Sequence, residues 1–131
     1  MSNWKILADL KYARSDEWIK VEGGEAIVGV SDYAQQALSD IVFVELPAVG
    51  KTFAAGESFG TIESVKAASD LNMPIGGTVV GVNSSLEDAP ERVNEDPYNA
   101  AWLIRIKPAD LGELNNLMDA AAYKKYCEER G

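Results

Sequence analysis

Residues 57–77 read ESFGTIESVKAASDLNMPIGG. Two extended runs, 58–65 and 71–75, flank the short polar segment 66–70, KAASD, and glycines at 56, 60, 76 and 77 bracket the whole passage. This pattern predicts a β-hairpin with its tip in KAASD, because β-branched and apolar runs bounded by Gly and Pro favour strands over helix. Lys66 opens that tip. A lysine at most surface positions is only a solvated charge. At a hairpin tip on a rigid scaffold its amine is instead presented at the most accessible point of the fold, a position suited to covalent modification. Pro74, Gly76 and Gly77 are read as residues that set backbone geometry.

Towards the N-terminus the same strand signals continue. Ile19 and Val21 alternate with Lys20 and Glu22, Gly23-Gly24 offers a turn, and Ala26, Val28 and Val30 alternate in the return run. Ser31 or Asp32 can cap a short helix over 32–38, in which Ala34, Ala37 and Leu38 share one face. Residues 41–46, IVFVEL, form a further strand ended by Pro47. Towards the C-terminus, 78–82 is a strand, and 83–99 (NSSLEDAPERVNEDPYN) is an acidic, proline-interrupted surface loop with room for one helical turn. Trp102, Ile104 and Ile106 alternate in a last strand closed by Pro108. Beyond it, Leu111, Leu114, Leu117 and Met118 recur at helical spacing, and 120–129 are good helix formers. The fold class is therefore mainly β, with a short internal helix and a helical C-terminal segment.

Composition narrows the function. The 131 residues fit one domain, with a core at about 12–108 and a helical extension at 109–131. Twelve basic against twenty-one acidic residues give a net charge of -9, which repels phosphate backbones and anionic lipid and so excludes nucleic acid and membrane as partners. With no histidine there is no His-based triad and no imidazole metal ligand, and Cys127 alone forms no intramolecular disulfide. Without a CxxC partner or a basic cluster Cys127 reads as a half-buried apolar residue with no chemical role. No secretory h-region opens the chain and no apolar run approaches a membrane span, so a bacterial cytoplasm is expected, or the mitochondrial matrix for a eukaryotic source.

Several stretches, in order and spacing, resemble one family: DEWIKVEGGEAIVGVSDYAQQALSDIVFVELPAVG (16–50), ESVKAASD (63–70), VNSSLEDAPERVNEDPY (82–98), AWLIRIKP (101–108) and DAAAYKKY (119–126). These resemble the H proteins of the glycine cleavage system. The resemblance implies a lipoyl-domain barrel-sandwich of two small antiparallel sheets with approximate two-fold symmetry, and lipoate in amide linkage to Lys66. It implies a non-catalytic carrier that shuttles an aminomethyl group and reducing equivalents. Its partners would be a pyridoxal-phosphate-dependent glycine decarboxylase, a folate-dependent aminomethyltransferase, dihydrolipoyl dehydrogenase and a lipoylating enzyme.

The resemblance further places Ser15, Glu17 and Asp70 in a polar cleft and makes Glu63 a recognition mark for lipoylation. A cleft of this kind suits the cargo, since a cationic, hydrolysis-prone aminomethyl group calls for a carboxylate and for exclusion of water. The plainer alternatives are an exposed strand residue for Glu63, which the recognition reading outweighs by a little, and for Asp70 a residue satisfying donors in the turn. The family commonly has a histidine just before the Glu-Trp pair, where this chain has Asp16. An arm of lysine plus acyl chain reaches on the order of 10 Å by summing bond lengths. Tethering raises the effective concentration of the cargo at each docked partner. A lipoyl relay outside glycine cleavage would share the same hairpin. A biotinyl domain is disfavoured because Val65 and Ala67, in place of methionines, flank the lysine. A β-rich hydrolase using Glu63, Asp70 or Glu17 as acid and base ranks last, with no substrate groove marked.

Overall fold

A computed structural model describes residues 4–130. Among the described residues there are nine strands: β1 (Lys11–Tyr12), β2 (Glu17–Glu22), β3 (Glu25–Val30), β4 (Ile41–Glu45), β5 (Thr52–Phe53), β6 (Ser58–Ser64), β7 (Ala68–Asn72), β8 (Gly77–Val82) and β9 (Ile104–Pro108). Helix α1 (Asp32–Leu38) links β3 to β4, the one-turn helices α2 (Ser85–Asp88) and α3 (Arg92–Glu95) link β8 to β9, and a 3-10 helix (Leu111–Asn116) precedes α4 (Ala120–Arg130).

The strands form two antiparallel sheets, a six-stranded one in the order β1-β2-β3-β9-β8-β5 and a three-stranded one in the order β4-β6-β7. Alternation decides which side chains they share. Ala26 and Val28 of β3, Ile104 and Ile106 of β9 and Ile62 of β6 are all at most 1% exposed and meet between the sheets. Gly23, at φ +62, makes the β2–β3 turn in a backbone conformation that L side chains resist. Gly29 pairs with Trp18, and a Cβ on it would lie 2.5 Å from the indole ring. The missing side chain is what lets Trp18 lie flat on β3 and donate from Nε1 to the carbonyl of Pro97 at 3.1 Å.

Three local expectations change. The hairpin turns sooner than 66–70: Ser64 N donates to Ala67 O at 2.8 Å, and the Ser64 hydroxyl accepts from Lys66 N at 3.1 Å and Ala67 N at 3.0 Å. One serine thus satisfies the turn, and Ala68-Ser69-Asp70 become strand rather than connection. The 83–99 stretch holds two helical turns, not one, and is more than a surface loop, since Leu86 and Val93 are fully buried in the core. Asn94 fixes it in place, accepting from Ile41 N at 2.9 Å and donating to Gln35 Oε1 at 2.9 Å. Finally, the C-terminal helical run breaks after Asn116, and α4 packs Tyr123 and Cys127 into a second cluster with Leu10, Tyr12 and Trp18.

Leu86 therefore acts as a plug. We expect Leu86→Ala to cost about 2–5 kcal/mol, as for a buried leucine, while the exposed neighbour Glu87→Ala changes stability by no more than ~0.5 kcal/mol. Urea unfolding of the two variants checks this.

Candidate functional site

Lys66 stands at the tip of the β6–β7 hairpin with its backbone held on both sides. Ser64 closes the turn from within, and Val65 N donates to Asp40 O at 3.0 Å, tying the tip to the segment between α1 and β4. Val65 is 68% exposed, so the tip is solvated although its backbone is anchored. The Lys66 ammonium donates to the carbonyl of Ala37 in α1 at 3.2 Å. Ala37 is on the rim of a cleft of ≈ 160 Å³.

Part of the cleft lining is polar: Ser15, Asp16, Glu17, Ser69 and Asp70. The rest is apolar: Val30, Ala34, Leu38, Ile62 and Leu71, those on β3, β6 and β7 interleaved with the polar residues. The α1 face read from Ala34, Ala37 and Leu38 looks into this cleft, and Gln35 is the α1 residue that is buried. Small side chains on that face leave the space open.

Glu17 begins β2 and is 1% exposed. Its Oε1 accepts from the Ser15 hydroxyl and its Oε2 accepts from Asn72 N at 2.9 Å, so one carboxyl joins β2 to β7 across the sheets. Burial pushes its pKa up to about 7, against the pull of those two donors, which favour the ionised form. Asp70 lies in β7 opposite Thr61, with its carboxylate exposed at the cleft; it is a strand residue, not a turn residue. Ser15, Glu17 and Asp70 are thus brought together, and Lys66 reaches their rim. Glu63 is elsewhere, exposed in β6 between Phe43 and Ala68 and away from the cleft lining.

A family model described as "Glycine cleavage H-protein" matches residues 10–130. The chain belongs to the glycine cleavage H-protein family. It is 52% identical over 126 residues to the "Glycine cleavage system H protein" of Anaeromyxobacter sp. (strain K), covering 96% of this chain and 98% of the relative. It is 52% identical over 132 residues to the "Glycine cleavage system H protein 2" of Pseudomonas aeruginosa, covering 100% of both. A mitochondrial "Glycine cleavage system H protein 2" from Arabidopsis thaliana is 50% identical over 124 residues, with 95% of this chain and 80% of that protein covered. The crystal structure of a glycine cleavage system H protein from Mycobacterium marinum superposes with a TM-score of 0.83 at 39% identity, covering 96% of this chain and 99% of that one.

Within this H-protein chain, Asp16, the residue just before the Glu-Trp pair, has its own partners. Asp16 sits at φ +80, a left-handed conformation that Asp and Asn tolerate better than most residues. Its carboxylate accepts from Arg130 Nη2 at 2.6 Å and Nη1 at 3.1 Å, and from the Tyr123 hydroxyl at 2.8 Å. No local pattern in the sequence announces that pairing, because its members are more than a hundred positions apart.

Glu17 gives this H protein a pH signature. Between the ordinary carboxyl value of 4.5 and about 7 the folded chain holds a proton that the unfolded chain has released. Folding stability from this group is therefore full below that window and falls as pH rises through it, by something like 3 kcal/mol at ~1.4 kcal/mol per pH unit. We expect the wild-type minus Glu17→Gln difference in unfolding free energy to decline across the window and to be flat on either side, as read from urea titrations at a series of pH values.

Proposed function

We propose that this chain is the lipoyl carrier of a glycine cleavage system, bearing lipoate in amide linkage on Lys66 and sheltering the aminomethyl cargo in the cleft of Ser15, Glu17 and Asp70. The observation that carries this reading is the Lys66 ammonium resting on the Ala37 carbonyl at the cleft rim, 3.2 Å away, so that an arm built on this lysine starts at the cleft mouth.

The residues present fit such an arm. Val30, Ala34, Leu38, Ile62 and Leu71 offer apolar surface for an alkyl chain and keep water off it. When bound, lipoate supplies a dithiolane that takes up the aminomethyl group and two electrons. The protein's contribution is position and charge. Asp70, exposed at the mouth, is the first anion a cationic cargo meets. Glu17, deeper and balanced near neutrality, becomes ionised when a cation arrives beside it, since an opposite charge favours the carboxylate. The Ser15 hydroxyl and the Asn72 amide fix the orientation of both its oxygens. None of these groups needs to act as a catalytic base: the role is carriage, and catalysis belongs to the other components of the system.

Those components are its partners, and we assign them as a pyridoxal-phosphate-dependent glycine decarboxylase, a folate-dependent aminomethyltransferase and dihydrolipoyl dehydrogenase. The lipoylating enzyme would read the exposed Glu63 beside the tip. Among the described residues no helix is long and apolar enough to cross a membrane. The site of action would be the cytoplasm in a bacterial source and the mitochondrial matrix in a eukaryotic one.

Two experiments test this. Intact mass and peptide mapping of natively expressed protein should find a single lipoyl group on Lys66, and Lys66→Arg should lose it while shifting stability by no more than ~0.5 kcal/mol. Lipoate on another lysine would refute the assignment. In lipoylated, aminomethyl-loaded protein without partners, Glu17→Gln and Asp70→Asn should each release ammonia or formaldehyde about ten-fold faster than wild type, the loss expected for one charge-assisted contact. Unchanged rates in both would remove the carboxylates from the site.

A further inference from the structure

The α4 helix touches two sides of the cleft without lining it. On one side lies the turn that carries Ser15, Asp16 and Glu17. Its backbone is closed by Ala13 N on Glu17 O at 2.9 Å and Asp16 N on Ala13 O at 3.0 Å. The Tyr126 hydroxyl donates to Arg14 O at 2.9 Å, and the bidentate Arg130 pair grips Asp16. On the other side lies α1. Its N-cap Ser31 has its hydroxyl 2.6 Å from the Tyr123 hydroxyl, and the Arg130 guanidinium lies over the rings of Tyr33 in α1 at 4.2 Å and Tyr126 at 4.0 Å.

The directions of these bonds form one relay. Tyr123 spends its single proton on Asp16, so Ser31 donates to Tyr123 while its oxygen still accepts from Ala34 N at 3.1 Å. Burial keeps the Tyr123 phenol well above the ordinary range, so it remains a donor. Asp16 also holds α1's entry directly, through Ser31 N on Asp16 O at 2.9 Å. Partly buried, with 28% and 16% of their side chains exposed, Arg130 and Asp16 form the most shielded ion pair among the described residues. A bidentate, shielded pair of this kind contributes both energy and geometry, unlike an ordinary surface pair.

We propose that Arg130 and Tyr123 are positioning residues for the cargo cleft, acting through Asp16 as a clasp that sets the separation between α1 and the Ser15–Glu17 turn. The inference rests on the reading of that cleft as the cargo shelter. Neither residue touches the cargo. Loosening the clasp lets the turn drift from α1, which widens the mouth and displaces the Ser15 and Glu17 oxygens from their fixed places.

Two readouts test it. In protein without lipoate, amide hydrogen exchange should quicken at Ala13, Asp16 and Ser31 in Arg130→Met and in Asp16→Asn, and stay unchanged at Ile62 in the opposite sheet. In lipoylated, loaded protein, each of the two variants should lose cargo about ten-fold faster, and the double variant no faster than the quicker single one, because both remove the same interaction. Arg130→Lys, which keeps the charge without the fork, should fall between and remains informative if Arg130→Met does not fold. Leu10→Ala serves as the comparison: it opens a cavity in the same aromatic cluster without touching Asp16, and should lower stability while retaining cargo at the wild-type rate. Cargo loss in Leu10→Ala as fast as in Arg130→Met would make the effect one of general stability and overturn the clasp. Wild-type retention in Arg130→Met beside fast loss in Glu17→Gln overturns the clasp and leaves the cleft standing. Wild-type retention in both overturns the cleft reading and the clasp with it.

Discussion

Glu17 belongs by its backbone to the six-stranded sheet, and one of its carboxyl oxygens, Oε2, is bound to the other. β7 is an edge strand, and an edge strand has outward amides that its own sheet does not satisfy. Asn72 N is such a donor, and Glu17 Oε2 takes it at 2.9 Å. Replacing the carboxyl with an apolar group of similar size would spare its desolvation. It would also leave a part-buried amide and the Ser15 hydroxyl without an acceptor, at about 1–3 kcal/mol for each group left buried and unpaired. The two sheets are thereby held at a fixed spacing on this side of the sandwich, and the spacing is what leaves a cleft rather than a packed seam. Two donors on one carboxyl offset part of a burial that raises its pKa to about 7.

The hairpin that bears Lys66 solves the opposite problem. An exposed two-residue tip would ordinarily be loose, but Ser64 bonds inside it and Asp40 O receives Val65 N from below. Backbone freedom is spent at folding, and what remains is the side chain's own torsions. A swinging arm gains from this division, because reach then comes from bonds that rotate on the fast timescale of exposed side chains, while its origin stays fixed relative to any docked surface.

Much of the scaffold was legible because its signals are local. The β2–β3 hairpin follows from alternation and Gly23-Gly24, and α1 begins at Ser31, a cap whose hydroxyl accepts from Ala34 N. Where the reading slipped, the deciding contact was either a side chain bonding backbone or a contact distant in sequence. Ser64 shortened the turn. Leu86 and Val93 are lone apolar residues in an acidic stretch, and only the core beneath them reveals that they are anchors. The cleft itself was not legible from pattern at all. Glu17 and Asn72 are 55 positions apart, and Asp16 and Arg130 are 114 apart, so their pairing is a property of the fold; resemblance to a family suggested Ser15, Glu17 and Asp70, and nothing suggested Arg130.

Cys127 closes the second cluster with no exposed surface, under Tyr123 and beside Arg130. In most proteins a buried free thiol would be a packing detail. In a family of dithiolane carriers it bears on chemistry, since thiolates attack disulfide sulfur and exchange with it. Such exchange needs an ionised and accessible sulfur; burial raises the Cys127 thiol above its ordinary value and closes off the approach. The packing of α4 thus leaves this thiol with neither the ionisation nor the access that exchange with a disulfide requires.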